Sequence, residues 1–116
     1  MGKVYLTNTF SLNMLKPLEG EVKFKPVSDE EAKEILNKGF VSYISHASTA
    51  QVLKKLLGIN AELNRSNLVL EDGDTLVVFQ IGVRPKEGQV FSEEELEEIV
   101  KNKLYRFWIV NVSYKG

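Results

Sequence analysis

His46, Arg84 and Glu87 place an imidazole, a guanidinium and a carboxylate at segment ends of a 116-residue chain. These are the parts for metal-free phosphodiester chemistry. An imidazole exchanges a proton near neutral pH. A guanidinium grips a phosphate with a planar fork of donors. A carboxylate can orient and tune the imidazole. His46 is the single histidine of the chain and stands where an apolar run gives way to a predicted helix. Arg84 and Glu87 sit in the tight turn Arg84-Pro85-Lys86-Glu87-Gly88, after another apolar run.

Each of these residues also has a plainer reading. A lone histidine is ordinarily structural, and His46 and Ser48 could simply cap the helix that follows. Capping explains Ser48 but gives no reason for a histidine. The free backbone N–H groups of a helix start favour an anion, and Ser48 and Thr49 add hydroxyls there. Arg84 and Glu87 could form a surface ion pair of little weight, which spacing alone favours. Against it, Gly82 allows close approach of a ligand, and period two puts Gln80 and Arg84 on one face if the strand persists. Asn8, Ser11 and Asn13 can bond sugar hydroxyls, base edges or phosphates. They are equally ordinary turn formers, and without other information the turn reading wins. Arg65, beside Asn64, stays open between phosphate contact and solvated charge. The acidic run Glu93 to Glu98 suits a solvated helix face and would repel a polyanion, so it is excluded from the site. Tyr105, Phe107 and Trp108 are expected in the core or an interface rather than stacked on a base.

The elements that must position these residues follow from patterning. Val4–Thr7 is predicted as a strand, followed by a polar loop or short helical turn. Glu21–Pro26 alternates as a half-exposed strand bracketed by Pro17 and Pro26, which suggests a sheet edge. Ser28-Asp29-Glu30-Glu31 and Ser92-Glu93-Glu94-Glu95 are capping-box patterns. The first opens a helix through Lys38, with Ala32, Ile35 and Leu36 inward and Gly39 as the stop. The second opens a helix to about Lys103, with Leu96, Ile99 and Val100 buried. Phe40–Ser45 is predicted as a short strand, and Ala47–Leu57 as a helix ended by Gly58. Leu68-Val69-Leu70 and Thr75–Val83, around Glu71-Asp72-Gly73-Asp74, predict a hairpin. Leu104–Tyr114 is apolar on both parities and predicts a strand covered on both faces. The whole chain, 1–116, reads as one α/β domain with a mixed sheet flanked by helices.

Composition narrows the function classes. A hydrophobic fraction of 43% is enough for an ordinary core, and the length is that of a single domain. No apolar run approaches the ~18 residues of a membrane span, and the start of the chain reads as a strand rather than a signal peptide. An intracellular protein with no membrane partner is therefore expected. With no cysteine, disulfides, thiolate nucleophiles and cysteine-type zinc sites are excluded. One histidine rules out a multi-histidine metal site within one chain. No cofactor is expected. The formal net charge of −1 lacks the basic bias of a duplex-binding protein. Any anionic ligand must be met by a few placed groups.

Four segments taken in order carry a resemblance. They are Lys3-Val4-Tyr5-Leu6-Thr7-Asn8 through Phe10-Ser11-Leu12-Asn13-Met14-Leu15, then His46-Ala47-Ser48-Thr49, then Asn64-Arg65, then Gln80-Ile81-Gly82-Val83-Arg84-Pro85-Lys86-Glu87-Gly88. The set resembles the viral ring nucleases, type III anti-CRISPR enzymes found mainly in archaeal viruses and phages. It looks most like members from viruses of hot acidic springs, over essentially the whole chain. No single motif is decisive; the ordered set is fairly specific. The resemblance implies a homodimer acting in the host cytoplasm. It would hold cyclic tetra-adenylate, the type III CRISPR second messenger, across its two-fold axis. It would cut that ring without metal into short linear adenylates with 2′,3′-cyclic phosphates.

By the same resemblance His46 would be the general acid, Arg84 would hold the scissile phosphate, and Glu87 would position or tune His46. Asn8, Ser11, Asn13, Ser48, Thr49, Arg65 and Gln80 would line the ring-binding pocket. Pro85 departs modestly from the family pattern, and a turn that aims Glu87 away from the site would lower its role. Two other classes stay open: a viral regulator that binds DNA or a host protein without catalysis, and a sink that binds the cyclic nucleotide without cutting it.

Overall fold

Tyr5, Leu6 and Thr7 are consecutive and all buried, which marks β1 (Val4–Thr7) as a strand covered on both faces. It runs parallel to β3 (Val41–Ser42) on one side and to β4 (Thr75–Ile81) on the other. β5 (Tyr105–Tyr114) lies antiparallel to β4, and β2 (Gly20–Val27) antiparallel to β5. The computed structural model describes residues 2–115, which form a single α/β domain around a five-stranded mixed sheet of order β2-β5-β4-β1-β3.

All three helices pack on one face of that sheet. α1 (Asp29–Asn37) contributes Ala32 and Leu36, α2 (Ala47–Leu57) contributes Val52, Leu53 and Leu57, and α3 (Glu93–Lys101) contributes Leu96 and Ile99. They meet Leu6, Val77, Phe79 and Phe107, with the Phe79 and Phe107 rings 4.6 Å apart. Alternation along the strands sends Tyr5, Leu76, Val78, Val110 and Val112 to the opposite face. Loops carrying Leu68, Leu70, Phe10, Met14 and Leu15 cover part of that face. The helices therefore flank the sheet on one side only.

The helix boundaries follow the capping chemistry. Ser28 Oγ accepts the Glu31 N–H, and Ser92 and Glu95 form a reciprocal capping box. α2 ends at Gly58 in the left-handed conformation, φ 70°. α1 and α3 stop slightly short of the expected ends, at Asn37 and Lys101, and Ile35 and Val100 are half-buried. β2 takes the expected edge position, and residues 12–14 form a short 3₁₀ turn.

Two expectations are corrected. Phe40–Ser45 holds only the two-residue β3, plus an isolated bridge from Ile44 to Leu63. Leu68–Leu70 forms no hairpin with β4, because both edges of β4 are already taken by β1 and β5. The run is satisfied elsewhere: Leu70 N–H donates to Met14 O at 2.7 Å, and Tyr114 Oη donates to Leu70 O at 2.7 Å. The Asp-Gly turn itself is real. Gly73 has φ 84°, and the buried Asp74 carboxylate accepts the Glu71 and Lys3 N–H groups at 2.7 and 2.9 Å.

Candidate functional site

β1, β3 and β4 run parallel, so their carboxyl ends open on the same edge of the sheet, where open α/β sheets place their ligand crevices. A cleft of about 540 Å³ lies there. Asn8 enters it just past β1, His46 and Ser48 from the start of α2, Gln80 from the carboxyl end of β4, and Arg84 from the loop beyond. Thr49 and Arg65 complete the set of named residues that it gathers. Phe79 and Phe91 supply apolar lining. No carboxylate lines the cleft.

His46 is the N-cap residue of α2, yet its imidazole makes no capping bond. Its carbonyl accepts the Thr49 and Ala50 N–H groups at 3.1 and 3.2 Å, while the N–H groups of the first turn before them have no intrahelical partner. Capping therefore does not account for the histidine, whose side chain is exposed on the cleft. Ser48 lies inside the first turn rather than at the cap. Thr49 is buried, at the floor of the site.

Asn8 is held rigidly. Its Oδ1 accepts both the Ser45 N–H at 2.9 Å and the Ser45 hydroxyl at 3.1 Å. Arg65 donates its Nε–H to the Ser45 carbonyl at 3.2 Å, which leaves the outer guanidinium nitrogens to face outward. Neither Arg65 nor Arg84 has a carboxylate partner among the described residues, whereas Lys16, Lys55 and Lys115 do. Unpaired guanidinium groups on an acid-free cleft favour an anionic occupant.

The loop that carries Arg84 is fastened at two points. The Gln51 side chain on α2 bonds both backbone groups of Phe91, donating to its carbonyl at 3.1 Å and accepting its N–H at 2.7 Å. Glu95, in the first turn of α3, accepts the Lys86 N–H at 3.2 Å. Hydrogen bonds from Ser92 and Lys86 hold the Glu95 carboxyl below the usual carboxylate range.

The remaining predicted residues fall elsewhere. Ser11 and Asn13 line a neighbouring polar cleft of about 410 Å³ that shares Asn8 and Arg65 with the first and also contains no carboxylate. Ser11 starts the 3₁₀ turn without a side-chain bond. Glu87 lines a separate cavity with Lys86, Glu94, Glu95 and Glu98, not the cleft that holds His46. Glu87, two residues past Pro85, is thus absent from the lining of the cleft that holds His46. β4 ends at Ile81, so Arg84 reaches the cleft from a loop rather than by strand alternation with Gln80. Ser45, Gln51 and Trp108 were not singled out as site residues. Ser45 directly precedes His46, but its role as a partner of Asn8 and Arg65 depends on contacts across 37 and 20 residues.

A five-stranded mixed sheet with its helices on one face, and an acid-free, guanidinium-bearing cleft at its parallel strand ends, defines the class of the chain as a single-domain α/β protein. The chain belongs to the STIV B116-like family, whose model matches residues 4–104. It is 33% identical over 111 residues to protein 26 of Sulfolobus islandicus filamentous virus, covering 94% of this chain and 91% of that one. It is 37% identical over 103 residues to ORF117 of Acidianus two-tailed virus, covering 83% and 85%. The relatives extend to YddF of Bacillus subtilis, 30% identical over 94 residues, with 78% and 83% covered. Among solved structures, B116 of Sulfolobus turreted icosahedral virus matches with a TM-score of 0.78 and 29% identity, over 95% of this chain and 99% of that one. Apart from the bacterial YddF, these relatives are proteins of archaeal viruses.

Proposed function

We propose that the protein is a metal-independent ring nuclease that binds cyclic tetra-adenylate and cuts it to linear di-adenylates, acting in the host cytoplasm to suppress type III CRISPR signalling. The observation that carries this reading is the acid-free cleft that collects His46 with the unpaired Arg65 and Arg84.

The reaction uses the nucleophile of the substrate itself. The ribose 2′-hydroxyl oxygen attacks the adjacent phosphorus in line with the 5′-oxygen, which leaves. The new P–O bond closes a 2′,3′-cyclic phosphate, the P–O5′ bond breaks, and the 2′-hydroxyl proton passes to solvent. His46, as imidazolium, protonates the departing 5′-oxygen, and its next proton comes from solvent. Arg84 stabilises charge on the equatorial phosphate oxygens. Asn8, Ser48, Thr49, Arg65 and Gln80 orient the ring, which converts the attack into an aligned intramolecular step. Ser11 and Asn13 extend the contact surface through the adjoining polar cleft.

The reading includes a homodimer. One cleft carries two unpaired guanidinium groups, and a ring of four phosphates is matched by two copies. A C₂ dimer suits a ligand that shares its symmetry. Next to the cleft, sharing Asn8 and Gln80 with it, is an apolar groove of about 460 Å³ lined by Phe10, Val22, Phe24, Val78, Trp108 and Val110. Phe24 is 69% exposed there. We assign this groove to the second copy, which would bring two clefts together. Phe24→Glu should then give a monomer by sedimentation and lower turnover. A Phe24→Glu protein that remains dimeric removes this interface.

The deciding assay is incubation of labelled cyclic tetra-adenylate with the protein in EDTA, alongside His46→Ala. The expected result is cleavage by wild type and retention of binding by His46→Ala, with turnover lowered about 10²–10⁴-fold. A ring that stays intact but bound to wild type identifies a sink. An intact, unbound ring refutes the reading and favours a regulator that binds DNA or a host protein.

A further inference from the structure

The amide of Gln80 touches a group that can only donate. Trp108 Nε1–H lies 3.2 Å from the Gln80 side chain, and an indole has no acceptor lone pair at that nitrogen. Whichever way the amide is turned, the atom that meets the indole must be its oxygen. The amine end of Gln80 is then the free end. It has no protein partner among the described residues, and Gln80 lines the cleft. The strand register maintains this arrangement: Val78 pairs with Trp108 and Gln80 with Arg106, so Gln80 and Trp108 lie on one face of adjacent strands. The Arg106 guanidinium sits 5.9 Å from the indole ring centre, which helps hold the ring in place.

Asn8 repeats the logic from the other wall. Its oxygen accepts the Ser45 backbone N–H, also donor-only, so its amine is likewise free. The Asn8 and Gln80 amides are thus set the same way, each oxygen held by a donor of the protein.

We propose that Trp108 is a positioning residue that locks Gln80 as a hydrogen-bond donor, so that the cleft, with Asn8 set likewise by Ser45, reads acceptor atoms at these two points. A ligand is selected for phosphate oxygens or ring nitrogens at these two points, and a group that only donates is refused. A freely turning amide would accept either polarity. Trp108 touches no ligand in this scheme; it acts through Gln80.

The inference rests on the ring-binding reading for its ligand, and the test separates the two. In the ligand-free protein, a ¹H–¹⁵N spectrum should show the Trp108 indole resonance shifted in Gln80→Leu; an unmoved resonance overturns the lock. Binding of cyclic tetra-adenylate is then measured for wild type, Trp108→Phe, Gln80→Leu and the double variant. Trp108→Phe keeps an apolar ring but removes the N–H, and should weaken binding about 3- to 10-fold, the worth of one neutral hydrogen bond. In the Gln80→Leu background the same change should cost nothing further. Losses that simply add, or no loss in Trp108→Phe, overturn the inference, because a packing or interface role would persist without Gln80. If wild type binds no ring, the functional reading falls, while the indole resonance still decides the lock.

Discussion

Replacing Gln51 by leucine would test whether the Arg84 loop is held by its far end. The Gln51 amide bridges 40 residues of sequence with two bonds to the Phe91 backbone, at 3.1 and 2.7 Å. Leucine has similar volume but leaves both the N–H and the carbonyl of Phe91 without a partner. An orphaned buried group costs ~1–3 kcal/mol. Both bonds are part-buried, so the low end applies to each, giving about 2 kcal/mol in total. For a domain of this size that corresponds to a fall in Tm of roughly 6–12 °C. Gln51→Glu keeps the acceptor for the Phe91 N–H and should lose about half as much. The control is Lys55→Ala, which removes the 3.7 Å pair from α2 to the largely exposed Glu93 at the start of α3 and should cost under ~0.5 kcal/mol. Denaturant unfolding gives the energies, and amide hydrogen exchange at Phe91 reports the clamp directly. A Gln51→Leu loss no larger than the Lys55→Ala loss, with Phe91 exchange unchanged, would refute the claim.

Arg84→Ala should weaken ring binding by about tenfold to a hundredfold, the worth of a charged hydrogen bond, and Arg84→Lys should restore only part of it because the planar fork is lost; titration calorimetry distinguishes the two. The Glu95 carboxyl is held low by its bonds from Ser92 and Lys86, so its contribution is present above the ordinary carboxylate value and is lost as pH falls through the depressed one. Exchange at the Lys86 amide, corrected for intrinsic rate, should therefore rise in acid, and Glu95→Gln should flatten that dependence. Gly58→Ala meets no atom within 4 Å but must adopt φ 70°, so it should cost about 1 kcal/mol by denaturation from backbone strain alone.

Local chemistry was the legible part of this fold. Caps at Ser28 and Ser92, the αL stop at Gly58 and the Asp-Gly turn at Gly73 are each decided by a few adjacent residues, and each forms, although the capping box is reciprocal only at Ser92 and Ser28 makes just the bond from Glu31 N–H. The failures were matters of pairing. The sequence pattern pairs Leu68–Leu70 with Thr75–Val83 because a turn separates them, but pairing is a competition, and β1 and β5 hold the two edges of β4. The site divides in the same way. His46, Ser48 and Thr49 were readable because a helix start places them together. Arg84 was readable as a loop residue, but its tethers at Gln51 and Glu95, and the orientation of Gln80 by Trp108, come from contacts between distant segments. Glu87 shares the turn of Arg84 yet lines a different cavity, which no spacing along the chain could reveal.

Net charge is a poor guide to the partners of this protein, and the reason is where its acids lie. The chain has 16 acidic and 15 basic residues, a balance that argues against an anionic ligand if charge is spread evenly. It is not spread evenly. Asp29, Glu30 and Glu31 open α1, and Glu93, Glu94 and Glu95 open α3, where the helix dipole stabilises them. Asp74 is used to close a turn. The first turn of α2 holds no acid at all, and neither cleft that shares Asn8 and Arg65 is lined by one. The one helix start left without carboxylates is thus the one beside His46. On the proposed ring-binding reading, selectivity for a compact ligand over duplex nucleic acid would follow from the placement of charge rather than from its sum.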